Sequence, residues 1–297
     1  MRVFVTGATG FVGSAVVQEL LRAGHQVLGL ARSDEGAAKL ERAGVAVHRG
    51  GLDEPETLKR GCVAADGVIH TAFIHDFSRI AVSGQVDHVA IDAMGDALAG
   101  TNRPFVVTSA IGMLAPGRVS TEADAADPKS AAGHRVASEV AALALAARGV
   151  RVSVVRLPPS VHGDGDYGFV PALIKIAREK GVSAYIGEGA NRWPAVHKLD
   201  AATLYRLALE QGTPGARYHA IGDEGLPTRE LAAIIGKKLG VPVVSKSAEE
   251  APAHFTWLAR FYALDVPSSA AGTRAALGWA PTHVGLALDL ERGTYFA

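Results

Sequence analysis

Short apolar runs alternate with longer helical stretches through the first half of this chain, and that alternation limits its fold more than any other feature. Runs at Arg2–Val5, Gln26–Leu30, Val45–His48, Gly67–Thr71, Pro104–Thr108 and Arg151–Arg156 read as strands. Most are nearly continuous in apolar residues rather than alternating, the pattern of strands buried on both faces. Segments Phe11–Ala23, Asp34–Arg42, Pro55–Val63, Ser78–Leu98 and Ala131–Ala147 read as helices, and Gly24, Gly44, Gly100 and Gly149 stand where helices end. Such alternation builds right-handed βαβ units and a doubly wound parallel sheet with helices on both faces. The second half is less regular. Helices are expected at Phe169–Glu179, Ala201–Glu210, Thr228–Leu239 and Ala251–Tyr262, with short strands at Ala184–Ile186 and Arg217–Ile221.

The first strand runs into Thr6-Gly7-Ala8-Thr9-Gly10-Phe11-Val12-Gly13, which opens the first helix. In that setting the glycines have distinct tasks. Gly7 permits the tight turn, Gly10 lets the backbone approach a pyrophosphate, and Gly13 allows close packing of helix on strand. The helix N-terminus at Phe11 offers free N–H groups and a positive dipole end to phosphate. The fold expected is therefore α/β and Rossmann-like, with a smaller, mixed C-terminal portion. A ribose 2′-hydroxyl is normally held by a carboxylate at the end of the second strand. Here that place holds Arg32 and Ser33, while Asp34 and Glu35 come later, at the helix start. Arg32 can pair with a 2′-phosphate and Ser33 can donate a hydroxyl, so NADP(H) is expected in preference to NAD(H). Residues 1–160 then form the NADP-binding domain, and residues 161–297 form a substrate-binding portion continuous with it.

These motifs, with Val68-Ile69-His70-Thr71-Ala72, resemble an extended or atypical short-chain dehydrogenase/reductase, and more narrowly its NAD(P)-dependent epimerase/dehydratase-like branch. Val107-Thr108-Ser109-Ala110 resembles the family's serine-bearing fifth strand. Arg156-Leu157-Pro158-Pro159-Ser160-Val161-His162-Gly163 and Trp193-Pro194-Ala195-Val196-His197-Lys198-Leu199-Asp200 resemble two further family segments. The resemblance implies cofactor contacts at Gly7, Thr9, Gly10, Phe11, Val12, Arg32, Ser33, Leu52, Thr71, Ala72, Ser109, Arg135, Pro158 and Val161. It also implies a Ser, Tyr and Lys mechanism, with the last two as Y-x-x-x-K on one helix face.

This chain departs from that pattern. Glu139 fits a glutamate that follows the family's lysine by four residues, which puts Arg135 at the lysine position and Ala131 at the tyrosine position. No tyrosine lies between Lys129 and Glu139. Arg135 keeps the charge, but it is effectively always protonated and cannot serve as the acid. His134 and Tyr167 are the candidate replacements, with Ser109 as the substrate-facing hydroxyl. An imidazole suits proton transfer near neutrality. His75 either meets substrate or caps the following helix. Asp76 beside it also falls on the ligand edge, and His162 reads as packing under the cofactor. Trp193 and His197 either line the pocket or belong to the core.

Composition narrows the remaining options. The 297 residues balance 30 Lys+Arg against 30 Asp+Glu, which disfavours a nucleic-acid surface. The single cysteine, Cys62, excludes a disulfide framework and reads as buried filler. The 11 histidines lack H-E-x-x-H spacing, and neither a P-loop nor a G-x-S-x-G elbow occurs, so no metal is expected. No run approaches a membrane span and no secretory pattern opens the chain, so a cytoplasmic protein is expected. The apolar faces of Ser78–Leu98 and Val136–Ala147 either build a homodimer interface, as the resemblance implies, or pack on the sheet in a monomer. The loops Thr71–Ser78, Ile111–Asp127 and His162–Phe169 suggest a modest apolar pocket. The reading is an NADP(H)-dependent oxidoreductase moving hydride to or from a small carbonyl, imine or activated alkene, with a non-standard proton donor. The alternatives are a catalytically weak dinucleotide-binding or sensing protein, or a nucleotide-sugar epimerase/dehydratase.

Overall fold

A computed structural model describes residues 1–297. The strands are β1 (Arg2–Thr6), β2 (Gln26–Ala31), β3 (Ala46–Arg49), β4 (Gly67–His70), β5 (Pro104–Ala110), β6 (Arg151–Leu157), β7 (Ser160–His162), β8 (Ser183–Ile186), β9 (Arg192–His197), β10 (Ala216–His219), β11 (Asp223–Pro227) and β12 (Val243–Lys246). The helices are α1 (Phe11–Arg22), α2 (Asp34–Arg42), α3 (Pro55–Val63), α4 (Ile80–Leu98), α5 (Val136–Ala144), α6 (Phe169–Lys180), α7 (Lys198–Gln211), α8 (Thr228–Leu239), α9 (Ala251–Phe255), α10 (Ala259–Tyr262), α11 (Ala271–Leu277) and α12 (Leu286–Arg292).

Seven strands form one parallel sheet in the order β3-β2-β1-β4-β5-β6-β10, a Rossmann-like arrangement. The order reverses between β1 and β4, and the crevice beyond the carboxyl ends of those strands is where such sheets bind ligands. The apolar runs are continuous because both faces are covered. Val3, Phe4 and Val5 have no exposed surface. One face packs on Val16 and Leu20 of α1 and Leu204 and Tyr205 of α7. The other packs on Leu58 of α3, Ile91 and Met94 of α4, and Ala142 of α5. Cys62 lies in that second layer, where burial pushes its thiol up to about 12 and leaves it unreactive. Beyond β6 the chain forms a three-stranded sheet, β7-β9-β11, and a two-stranded one, β8-β12, before and after β10 returns to the main sheet. No helix is long and apolar enough to cross a membrane.

Several elements differ from the expected boundaries. The segment Ala131–Ala147 is not one helix. A 3₁₀ turn at Gly133–Arg135 precedes α5, and another at Leu145–Arg148 follows it. A Cβ on Gly133 would lie 2.2 Å from the Pro128 carbonyl oxygen, so the chain here is folded back tightly on itself. Ala131 is therefore outside any helix, and the helical i,i+4 relation expected between Ala131 and Arg135 does not exist. Helix α4 starts at Ile80 rather than Ser78, because Asp76 accepts from the Ser78 backbone N–H and hydroxyl and holds those residues in a turn. That turn is made by Asp76 and not by His75. Ala251–Tyr262 is broken at Thr256 into α9, a 3₁₀ turn and α10. Strand β9 was concealed by Pro194, a residue that removes a ladder donor, yet it is the central strand of its sheet.

Candidate active site

The glycine loop is built as its sequence requires. Gly7 holds φ at +68°, and a Cβ there would lie 2.7 Å from the Ala72 nitrogen. A Cβ on Gly13 would lie 2.0 Å from the Gly7 carbonyl oxygen, so only glycine lets α1 sit this close to the loop. Helix α1 has no side-chain cap from Gly10, so its first N–H groups are not satisfied by the N-cap residue. Thr71 and Ala72 pack directly against the loop, and Thr71 Oγ1 donates to the Thr6 carbonyl at 2.7 Å. Val12 and Leu52 are half-buried against the two core layers.

At the end of β2, Arg32 is exposed and Ser33 caps α2, its hydroxyl accepting from the Gly36 N–H at 3.1 Å. Two further cations stand beside them. Arg49 at the end of β3 donates to the Ser33 carbonyl at 2.7 Å and pairs with Asp34 at 2.5 Å. Lys39 reaches from α2 to the Thr9 carbonyl at 3.0 Å. Sequence reasoning missed both. The signal available was a basic residue ending the strand next to β2.

Arg135 is brought to the carboxyl edge of the sheet but is not free. Its guanidinium donates to the Thr108 carbonyl at 2.6 Å and lies 4.1 Å from the centroid of the Phe73 ring. Its Nε is 3.7 Å from Asp87, a residue of α4 that is almost completely buried. Asp87 in turn meets His70 Nε2 at 3.1 Å, and His70 Nδ1 meets Thr6 Oγ1 at 2.7 Å. Burial opposes ionisation of Asp87, but Arg135, His70 and Ser138 outweigh it and hold the carboxyl down at about 2. A buried polar chain thus links the start of the glycine loop to Arg135. His70 and Asp87 were not singled out from sequence, because two residues 17 apart in an apolar stretch give no sign of pairing.

Ser109 does not present a free hydroxyl. It is buried and donates to Glu139 Oε2 at 2.7 Å. Glu139 also receives Arg156 at 2.5 and 3.1 Å and Arg217 at 3.3 Å. Arg156 and Glu139 form a fully buried ion pair, so Ser109 is part of a structural cluster.

Tyr167 does not join Ser109 or His134. Its ring is 74 % exposed, stands edge-on to Phe11 at 6.0 Å, and its hydroxyl accepts from the Phe11 N–H at 3.3 Å. It occupies the helix N-terminus that a pyrophosphate would use. His134 is half-buried with its ring 6.0 Å from Phe73. Burial, with Arg135 and Arg260, brings it down to about 4, so the near-neutral proton donor expected from sequence is a neutral imidazole. His75 lies 5.2 Å from Phe73, and burial with Arg135 lowers it too. His162 is buried and bonded to Asp289 at 2.8 Å. Pro158 is buried, and Val161 pairs with Val196 across β7 and β9. Trp193 is core, and His197 stacks on His283 at 4.5 Å.

The geometry agrees with the comparisons to known proteins. The sequence profile of the NAD dependent epimerase/dehydratase family matches residues 3–221. The chain is 50% identical to an uncharacterized protein of Schizosaccharomyces pombe over 298 aligned residues, covering 100% of both chains. It is 29% identical over 266 residues to a 2-alkyl-3-oxoalkanoate reductase of Stenotrophomonas maltophilia, covering 83% of this chain and 78% of that one. A dTDP-glucose 4,6-dehydratase structure from Streptomyces venezuelae, with NAD and TYD bound, superposes with a TM-score of 0.79 at 22% identity, covering 98% of this chain and 96% of that one. The glycine loop, the strand order and these matches together lead to one conclusion: the chain belongs to the NAD dependent epimerase/dehydratase family.

Proposed function

We propose that this chain is an NADP(H)-dependent oxidoreductase of the short-chain dehydrogenase/reductase type, acting on a small apolar carbonyl, imine or activated alkene. The observation that carries the reading is the placement of Arg135. Its fixed charge sits at the carboxyl edge of the sheet, held by Phe73 and the Thr108 carbonyl, on a polar chain that begins at the glycine loop. Residues Gly7–Val12 suit a pyrophosphate, and Arg32, Lys39 and Arg49 suit a 2′-phosphate. A nicotinamide dinucleotide bound there would supply or take up a hydride. The relative named as a 2-alkyl-3-oxoalkanoate reductase supports reduction of a carbonyl over epimerisation.

Arg135 can stabilise negative charge on a substrate oxygen but cannot give up its proton. His75 and His134, as neutral imidazoles, can donate a hydrogen bond to that oxygen without protonating it, and water then supplies the proton. A matched general acid contributes roughly 10²–10⁴-fold. Its loss favours substrates that need little acid, such as a protonated iminium or an activated ketone.

A second reading is a dinucleotide-binding protein without turnover. It is favoured by Ser109, whose hydroxyl is committed to Glu139. Fluorescence titration with NADPH and NADH, on the native protein and on Arg135→Ala, separates these readings when followed by a screen of carbonyls and imines. Tight NADPH binding, weaker in Arg135→Ala, with turnover in the screen supports the oxidoreductase. Binding without turnover supports the second reading. Binding of neither dinucleotide overturns both.

A further inference from the structure

A band of aromatic rings leads away from Arg135. It starts at Phe73, the ring under the guanidinium. His75 stands edge-on to Phe73 at 5.2 Å and lies 6.3 Å from Phe77. Phe77 is nearly parallel to Trp257, with 4.3 Å between centroids and 20° between planes. Phe169 and Phe261 stand 6.0 and 5.7 Å from Phe77 and 5.3 Å from each other. The loop after β4, the start of α6 and the segment from the turn at Thr256 through α10 therefore deliver rings to one place from three distant parts of the chain.

Two features separate this band from ordinary core. Trp257 is 42 % exposed, whereas Trp193 and Trp279 are 0 % and 2 % exposed. A large ring left in water at the end of an apolar band offers a face for another apolar group. The backbone that presents it is also unusual. Thr256 holds φ at +52°, in the left-handed region that a β-branched residue rarely adopts. That residue breaks the continuous helix expected from the sequence and directs Trp257 onto Phe77. Backbone strain of this kind clusters at ligand-binding positions. Arg260 flanks the band with its guanidinium 5.1 Å from Phe261, and its charge is already engaged in a hydrogen bond to the Ala131 carbonyl.

We infer that this band is the subsite for the non-reacting part of the substrate, and that this part is a flat aromatic ring that stacks on Trp257 beside Phe77. The inference rests on the oxidoreductase reading for which part of the substrate does not react. Flatness is the discriminating property. Offset stacking rewards a planar ring and gives little to a saturated ring of the same skeleton.

The test is a calorimetric titration of acetophenone and of cyclohexyl methyl ketone into the protein saturated with NADP⁺. Acetophenone is expected to bind roughly 3- to 10-fold more tightly, the range that aromatic pairing supports. Trp257→Ala is expected to abolish this preference and to weaken acetophenone about tenfold. Trp257→Phe, which keeps a ring, is expected to retain most of both, and NADP⁺ affinity is expected to be equal in all three proteins. Equal binding of the two ketones by the native protein, or unchanged acetophenone affinity in Trp257→Ala, would overturn the inference. If NADP⁺ does not bind, the cofactor reading falls by itself. The same titrations without NADP⁺ then decide the aromatic subsite by the same two criteria.

Discussion

The Ser109 hydroxyl donates to Glu139 Oε2 at 2.7 Å, inside a cluster in which Arg156 has no exposed surface. A serine that reads as substrate-facing is thereby a member of a buried ion-pair network. Burial raises the Glu139 carboxyl and the bonds from Arg156 and Ser109 lower it, with a net downward result. Removing one neutral donor from a carboxylate that keeps two arginines is expected to cost about 1–3 kcal/mol. Ser109→Ala should therefore lower the melting temperature by several degrees while leaving NADPH affinity unchanged. Glu139→Gln strands the buried Arg156 charge and should cost more, about 3–5 kcal/mol. Thermal melts of the two variants check the order. A Ser109→Ala protein with native stability and lost turnover would return Ser109 to the reaction.

Arg49 donates to the carbonyl of Ser33, the residue that caps α2. With exposed Arg32 it flanks the place proposed for a 2′-phosphate. Each charge-assisted contact is expected to contribute about 1.5–3 kcal/mol, a factor of roughly 10–150 in affinity. Arg32→Asp and Arg49→Ala should each weaken NADPH without weakening NADH, and Arg32→Asp should shift preference towards NADH. Paired titrations read this directly. Equal losses for both dinucleotides would mean that these residues do not read the 2′-phosphate.

Tyr167 holds the N–H of Phe11 through its hydroxyl. A phosphate oxygen at the start of α1 needs that same donor, so the phenol must leave it first. Tyr167→Phe removes the competitor and should tighten NADPH binding about 2- to 10-fold, the value of one neutral hydrogen bond. A large loss of affinity on this change would show instead that the hydroxyl contacts the cofactor.

Five histidines bear on the acid side of the stability profile. Burial brings His134, His197 and His219 down to about 4 and also lowers His75 and His254. Unfolding restores each to about 6.5, so between those values the unfolded chain binds more protons and stability is lost as pH falls from about 6.5 towards 4. Asp166 acts in the opposite sense, because burial holds it up at about 6 and the folded state takes its proton first. The histidines outnumber it, so the melting temperature should fall across this window. His219 is fully buried and its Nδ1 meets the Ser269 carbonyl at 2.9 Å, a bond that His219→Asn can keep. That variant should show a shallower fall between pH 6.5 and 4. A flat melting temperature across the window in the native protein would contradict the assignment.

The fold and the glycine loop were legible from local sequence. Continuous apolar runs can only be buried on both faces, and Gly7 and Gly13 mark a turn that side chains would obstruct. The spacing to Glu139 put Ala131 and Arg135 at the family's tyrosine and lysine positions only as an expectation. What each candidate side chain touches was decided elsewhere in the chain. Ser109 meets a carboxylate 30 residues away, Thr6 a histidine 64 away, and Tyr167 an amide 156 away. The missing helical turn at Ala131 and the break at Thr256 have the same origin, since tertiary contacts override a weak local preference for helix. Local pattern determined β1–β6, their layering and the glycine loop. Only the folded chain decided which polar groups are consumed by partners, because burial compels a distant donor or acceptor to be found wherever the topology brings one.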